Sequence, residues 1–208
     1  MGENISHVLE IPVNGEGAFA KSGKGELVLG VGRTLTASAA VTNDSGILTA
    51  NWTGETCVKE GTLTIAAGAA REDLAVKVDD GGVLSISGSQ TLGAVSGGGA
   101  VAGVVPEGGS APSLSCTISV PWGEESPEYP TFENIALDAV KVDFNAPAGE
   151  TYKTGDRIAV ARLGGGATTN LRTWKAANAG GLVTAEFSLD GDVVYARMSV
   201  RGMYLFFK

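Results

Sequence analysis

The stretch GTLTIAAGAAREDLAVKVDDGGVLSISGSQTLGAVSGGGAVAG, residues 61–103, decides the fold. It alternates short apolar runs with glycine clusters, and one phrase recurs in it: a glycine, a spacer, an aliphatic residue and usually a second aliphatic two positions on. Gly61-Thr62-Leu63-Thr64-Ile65, Gly82-Val83-Leu84-Ser85-Ile86 and Gly99-Ala100-Val101 carry the phrase here; Gly25-Glu26-Leu27-Val28-Leu29 and Gly46-Ile47-Leu48 carry it upstream. The leading glycines stand 21, 15, 21 and 17 residues apart. Alternation within each phrase is strand chemistry, because successive side chains of a strand point to opposite faces. A phrase returning at this interval predicts a chain that coils and stacks each turn on the last, since one turn alone cannot bury its apolar face.

Composition agrees with a folded β-rich chain. Of 208 residues, 43% are hydrophobic, and the 31 glycines show no collagen-like G-X-Y period. Glycine at this density means frequent tight turns. The 15 Lys and Arg against 23 Asp and Glu give a formal charge of -8, which would repel a phosphate backbone, so nucleic acid is not an expected partner. No apolar run reaches the roughly 18 residues of a membrane-spanning segment, and the opening MGENISHVLEIPV lacks the sections of an export signal. Cys57 and Cys116 are too few for a disulfide framework and have no metal-type spacing; they are read as one bridge in a secreted chain or as two small buried residues.

Outward from the repeat, residues 5–13, 34–41 and 47–52 read as strands, residues 19–29 as two glycine turns leading into a strand, residues 66–73 as a loop, and residues 74–78 as a strand. Five of seven prolines (Pro106, Pro112, Pro121, Pro127 and Pro130) fall within residues 106–130, which predicts a junction carrying one strand at 114–120. Beyond it the glycine phrase stops. Val140, Val142 and Phe144 should share a buried face opposite Lys141 and Asp143. Residues 158–163 and 171–176 follow as strands, and 183–189 with 193–200 form a hairpin across Asp190-Gly191, a pair suited to a type I′ turn. Met203-Tyr204-Leu205-Phe206-Phe207 is apolar on both faces and calls for cover on both. The expected fold class is all-β: a solenoid over residues 1–105, a proline-rich junction over 106–130, and a C-terminal antiparallel β domain or cap over 131–208.

Lys21-Ser22-Gly23-Lys24-Gly25-Glu26-Leu27-Val28-Leu29, with Val58-Lys59-Glu60-Gly61-Thr62-Leu63 and Val78-Asp79-Asp80-Gly81-Gly82-Val83-Leu84, resembles the autotransporter-associated β-strand repeat of bacterial surface proteins. The resemblance covers a little under half the chain, residues 17–103. It implies a right-handed parallel β-helix that is extracellular or on a bacterial cell surface, a non-enzymatic structural or adhesive segment of a larger protein that serves as a stiff spacer or display platform. A host or environmental glycan, or another surface protein, is the implied partner. The repeat brings no catalytic residues, cofactor or metal with it. The rival reading is a β-helix protein that binds carbohydrate or processes polysaccharide.

Candidate chemistry is weighed on the residues themselves. Asp79-Asp80 before Gly81-Gly82 reads as a turn, because neighbours on a strand point apart and cannot flank one bond. Asp190 and Asp192 flank a hairpin glycine and read the same way. His7, the one histidine, has no nucleophile suggested beside it. Gly97-Gly98-Gly99 and Gly164-Gly165-Gly166 lack the motifs of phosphate-binding loops, and Gly81-Gly82 and Gly97-Gly98-Gly99 lack the aspartates of a calcium-binding nonapeptide repeat. Asn4, Asn43 and Asn51 match the glycosylation pattern by composition alone. Trp52, Trp122, Tyr129 and Trp174 would stack on sugar rings if aligned, and are read as packing residues in preference.

Overall fold

The computed structural model describes ten short strands between residues 6 and 65, then residues 71–124 and 127–200. The strands are β1 (Ser6–Leu9), β2 (Val13–Gly15), β3 (Phe19–Lys21), β4 (Glu26–Leu29), β5 (Leu35–Ala37), β6 (Val41–Asn43), β7 (Ile47–Thr49), β8 (Trp52–Thr53), β9 (Thr56–Val58) and β10 (Gly61–Ile65). They continue as β11 (Arg71–Val78), β12 (Gly82–Ser87), β13 (Gln90–Ser96), β14 (Ala100–Val104), β15 (Ser113–Ser119), β16 (Thr131–Glu133), β17 (Ala136–Asp143) and β18 (Arg157–Leu163). The last four are β19 (Thr168–Thr169), β20 (Lys175–Ala177), β21 (Val183–Asp190) and β22 (Val193–Val200). The expected all-β class is what the chain shows.

The strands sort into three sheets. One runs β1-β4-β7-β10-β12-β14-β16-β18-β22-β21; the second runs β3-β6-β9-β11-β13-β15-β17-β19, with β20 also on β17; the third is β2-β5-β8. Up to β9 the chain visits the three sheets in rotation, and from β10 to β19 it alternates between two.

Pairing within the first sheet sets the glycine phrases side by side. Leu27 faces Leu48, Leu48 faces Leu63, Leu63 faces Leu84, Leu84 faces Val101, Val101 faces Phe132, and Phe132 faces Leu163, all in parallel register. Leu63, Leu84, Val101 and Phe132 have no exposed surface. A second buried row crosses the other sheet: Val76 beside Val95, Val95 beside Ile118, Ile118 beside Val142. Burial of these rows drives the fold, at about 25 cal/mol for each Å² of apolar surface withdrawn from water.

Parallel pairing does not end at Val105. β14 pairs with β16, β16 with β18, β15 with β17, and β17 with both β19 and β20, so the antiparallel arrangement expected from residue 131 begins only with β22 on β18 and β21 on β22. The prolines explain why the sequence suggests a break. They lie between strands, where the missing N–H costs nothing and the carbonyl still serves the ladder: Pro130 accepts from the Arg162 N–H at 2.9 Å and Pro112 from the Ala136 N–H at 2.9 Å.

Three local expectations are corrected. Residues 71–73, read as loop, are the start of β11. Leu171–Thr173 is a 3₁₀ turn capped by the Asn170 side chain, and the strand begins at Lys175. In the hairpin Asp190 faces Val193, so the central pair is Gly191-Asp192, and of that pair only Gly191 has positive φ, +63°. That is the type II′ pattern with glycine first, where type I′ would need both residues left-handed. Val140, Val142 and Phe144 are buried together, as expected, with Lys141 exposed.

Candidate functional site

The acidic pair is a turn. The Gly82 N–H donates to the Asp79 carbonyl at 2.9 Å, with Gly81 at φ +92°. The Asp79 carboxylate holds Lys77 Nζ at 2.8 Å and the Cys57 thiol at 3.7 Å, while Asp80 is exposed. The hydrogen bond and charge of Asp79 raise the Lys77 pKa. Asp190 and Asp192 also serve structure: Arg157 Nη2 lies 2.5 Å from Asp190, and Arg162 Nε 3.3 Å from Asp192. The glycine triplets are corners stacked on other backbone. The Gly99 N–H reaches the Val78 carbonyl at 2.9 Å, and the Gly164 N–H reaches the Phe132 carbonyl at 2.7 Å.

The aromatic residues do not share a task. Trp174 is only 6% exposed, donates from Nε1 to Thr169 Oγ1 at 2.8 Å, and has Phe187 at 5.5 Å. Trp122 meets Tyr152 edge-on at 4.6 Å, and Tyr152 in turn meets Phe144 at 5.6 Å. Tyr129 lies 5.9 Å from the Arg162 guanidinium. Trp52 and His7 are placed by their backbones, in β8 and β1, with His7 in register with Leu27. Asn43 ends β6, and Asn4 and Asn51 lie outside the described residues. Cys57 and Cys116 are not joined; Cys116 is buried in β15, and desolvation pushes its thiol up to about 12.

Three features have no counterpart in the sequence reading. Asn134, Asn145 and Asn178 turn three corners in the left-handed region, at φ +49°, +48° and +49°. Asparagine tolerates that conformation better than most residues with a side chain. The outer face of the β18–β22–β21 sheet carries a charged cluster: Arg157 sits 3.7 Å over the Tyr195 ring and faces Arg197, which faces Glu186. The third feature is an open cleft of about 510 Å³ between residues 146–150 and 176–184. Ala146, Pro147, Ala148, Ala177, Ala179 and Leu182 are among the residues that shape it, and among the described residues Glu150 is the one ionisable residue that lines it.

The lining of this cleft is mostly small and uncharged. A single carboxylate among small side chains cannot supply the acid and base pair that glycoside hydrolysis uses. Among the described residues no three His, Cys, Asp or Glu gather as a metal site, and no helix is long and apolar enough to cross a membrane. Compared with family models, curated proteins and solved structures, the chain matches none of them.

Proposed function

We propose that the chain winds as a right-handed parallel β-helix and acts as a non-enzymatic structural or adhesive segment of a larger bacterial cell-surface or secreted protein. One observation carries this reading: the row Leu27, Leu48, Leu63, Leu84, Val101, Phe132 and Leu163 runs across seven parallel strands that belong to successive passes of the chain. Strands taken in rotation from separate sheets and paired in parallel are what a coil produces. Crossovers between parallel strands of one sheet are right-handed in nearly all proteins, which supports that hand here. A coil of this kind is stiff along its axis, because each turn is bonded to the next and buries a shared core. The resemblance of residues 17–103 to the autotransporter-associated repeat supports a place outside the cell.

Fractionation tests the reading. An antibody against this chain is used on source cells before and after protease treatment of the intact cells. A band in the envelope that external protease removes is the expected result. A protected cytosolic band would overturn the surface assignment.

A further inference from the structure

β21 ends the ten-stranded sheet, and among the described residues β22 is the only strand paired with it. In a hairpin with a two-residue loop the flanking residues, here Asp190 and Val193, exchange both backbone bonds, and bonded and open positions alternate from there. Thr184, Glu186, Ser188 and Asp190 therefore direct their backbone groups to β22. Those of Ala185, Phe187 and Leu189 point away from it, along the edge of the sheet. This edge lacks the usual guards against pairing: β21 holds no proline and no lysine, and it runs along β22 without a bulge. Leu189, 50% exposed, adds an uncovered apolar side chain to it.

We propose that β21 is a dimer contact, pairing antiparallel with the β21 of a second copy of the chain about a two-fold axis at Phe187. A symmetric pair must set outward-pointing backbone groups against each other, so it is centred on a residue, and the charges choose which. Centred on Glu186, the pair would set that carboxylate against its own copy; centred on Ser188, it would set Glu186 against Asp190. Like charges directly opposite are destabilising. Centred on Phe187, Glu186 meets Ser188 of the other copy, Thr184 meets Asp190, and Leu189 meets Ala185, a small residue beside which its exposed side chain is covered. The remaining acid charge is already answered within each copy, since Arg157 binds Asp190 and Arg197 faces Glu186. The other face of β21 is firm at the centre of the contact: Val183, Ala185 and Phe187 pack on the core, and Phe187 has Trp174 at 5.5 Å. Such a contact is closed, because the two-fold axis uses up the edge of both copies.

Sedimentation equilibrium of the unaltered chain, over a concentration series reaching roughly 0.5 mM, tests for the dimer. A monomer–dimer equilibrium is expected, and Leu189→Lys, which places a charge on the edge, should weaken it at least about tenfold while leaving the circular dichroism spectrum unchanged. A monomer throughout the series would overturn the proposal and leave the edge to a strand of another protein. Dimers that Leu189→Lys does not weaken would also overturn it, by placing the contact elsewhere. The register is tested by mixing two single variants, Glu186→Cys and Ser188→Cys, each in a Cys57→Ser background, under mild oxidation. Non-reducing electrophoresis and peptide mass spectrometry identify the bonds. A 186–188 disulfide between copies, formed at least about tenfold faster than 186–186 or 188–188, is the expected result. Equal rates for the three would overturn the two-fold at Phe187.

Discussion

Asn178 donates its side-chain amide to both carboxylate oxygens of Asp143, at 2.9 and 2.8 Å, across 35 positions of sequence. Asn145 makes the equivalent tie one pass earlier, donating to Ser119 Oγ and to the Val120 carbonyl, both at 2.9 Å. Two roles are combined in each residue: a backbone in the left-handed region and an amide that bonds to the preceding corner. Substitution separates them. Asn145→Gly keeps the backbone and loses the amide, and should cost about 1 kcal/mol for the lost bonds. Asn145→Ala loses both, and should cost about 1–2 kcal/mol more because alanine is strained at positive φ. Urea unfolding of the two variants checks the order; equal stabilities would mean that the conformation is irrelevant.

Gly81 and Gly97 both have positive φ, +92° and +88°, yet differ in what surrounds them. A Cβ on Gly81 meets nothing within 4 Å, whereas one on Gly97 would fall 2.2 Å from the Val78 carbonyl oxygen. Gly81→Ala should therefore cost about 1–2 kcal/mol, the price of the left-handed backbone alone. Gly97→Ala must in addition push two stacked corners apart, breaking the bond from the Gly99 N–H to Val78. It should lower the thermal midpoint well beyond Gly81→Ala, as measured by circular dichroism. Similar midpoints would show that the corners are not in close contact.

How much of this was legible follows from where the information lies. The row through Leu63, Leu84 and Val101 can be read because the same local phrase repeats with its glycine. Phe132 and Leu163 occupy the same row without that phrase, so their place emerges only from pairing. β11 is hidden because Arg71-Glu72-Asp73 offers no apolar alternation at its start. The asparagine corners have a local signal, an asparagine ending an apolar run at Phe144-Asn145 and Ala177-Asn178, but nothing nearby states the sign of φ. The Arg157–Asp190 pair and the cleft join residues about thirty positions apart, and no pattern in one segment reports the other.

Leu84 tests the buried row directly. It has no exposed surface and lies between Leu63 and Val101. Leu84→Ala should cost about 2–5 kcal/mol through lost burial and the cavity left behind. Leu84→Asp should unfold the surrounding strands, because a charge there has no partner and no water. Unchanged thermal stability in the aspartate variant would contradict burial of the row.

Cys116 should give the chain an alkaline limit. Its neighbours in β15, Leu114 and Ile118, are buried with it, and the thiol loses its proton only near pH 12 in the folded chain against an ordinary value of 9.0. Above pH 9 the unfolded chain has released this proton while the folded chain keeps it, so the unfolded state binds fewer protons and stability falls as pH rises. The contribution is complete below pH 9 and is lost between pH 9 and 12, at a slope of about 1.4 kcal/mol per pH unit. Cys116→Ala removes the titrating group, and should flatten this part of the stability profile even though the substitution itself lowers stability at pH 7. Urea midpoints at pH 7, 9 and 10.5 for both chains measure the difference. Parallel profiles would show that other groups, Tyr152 among them, whose hydroxyl pKa is raised by burial and then by Asp156, set the alkaline limit.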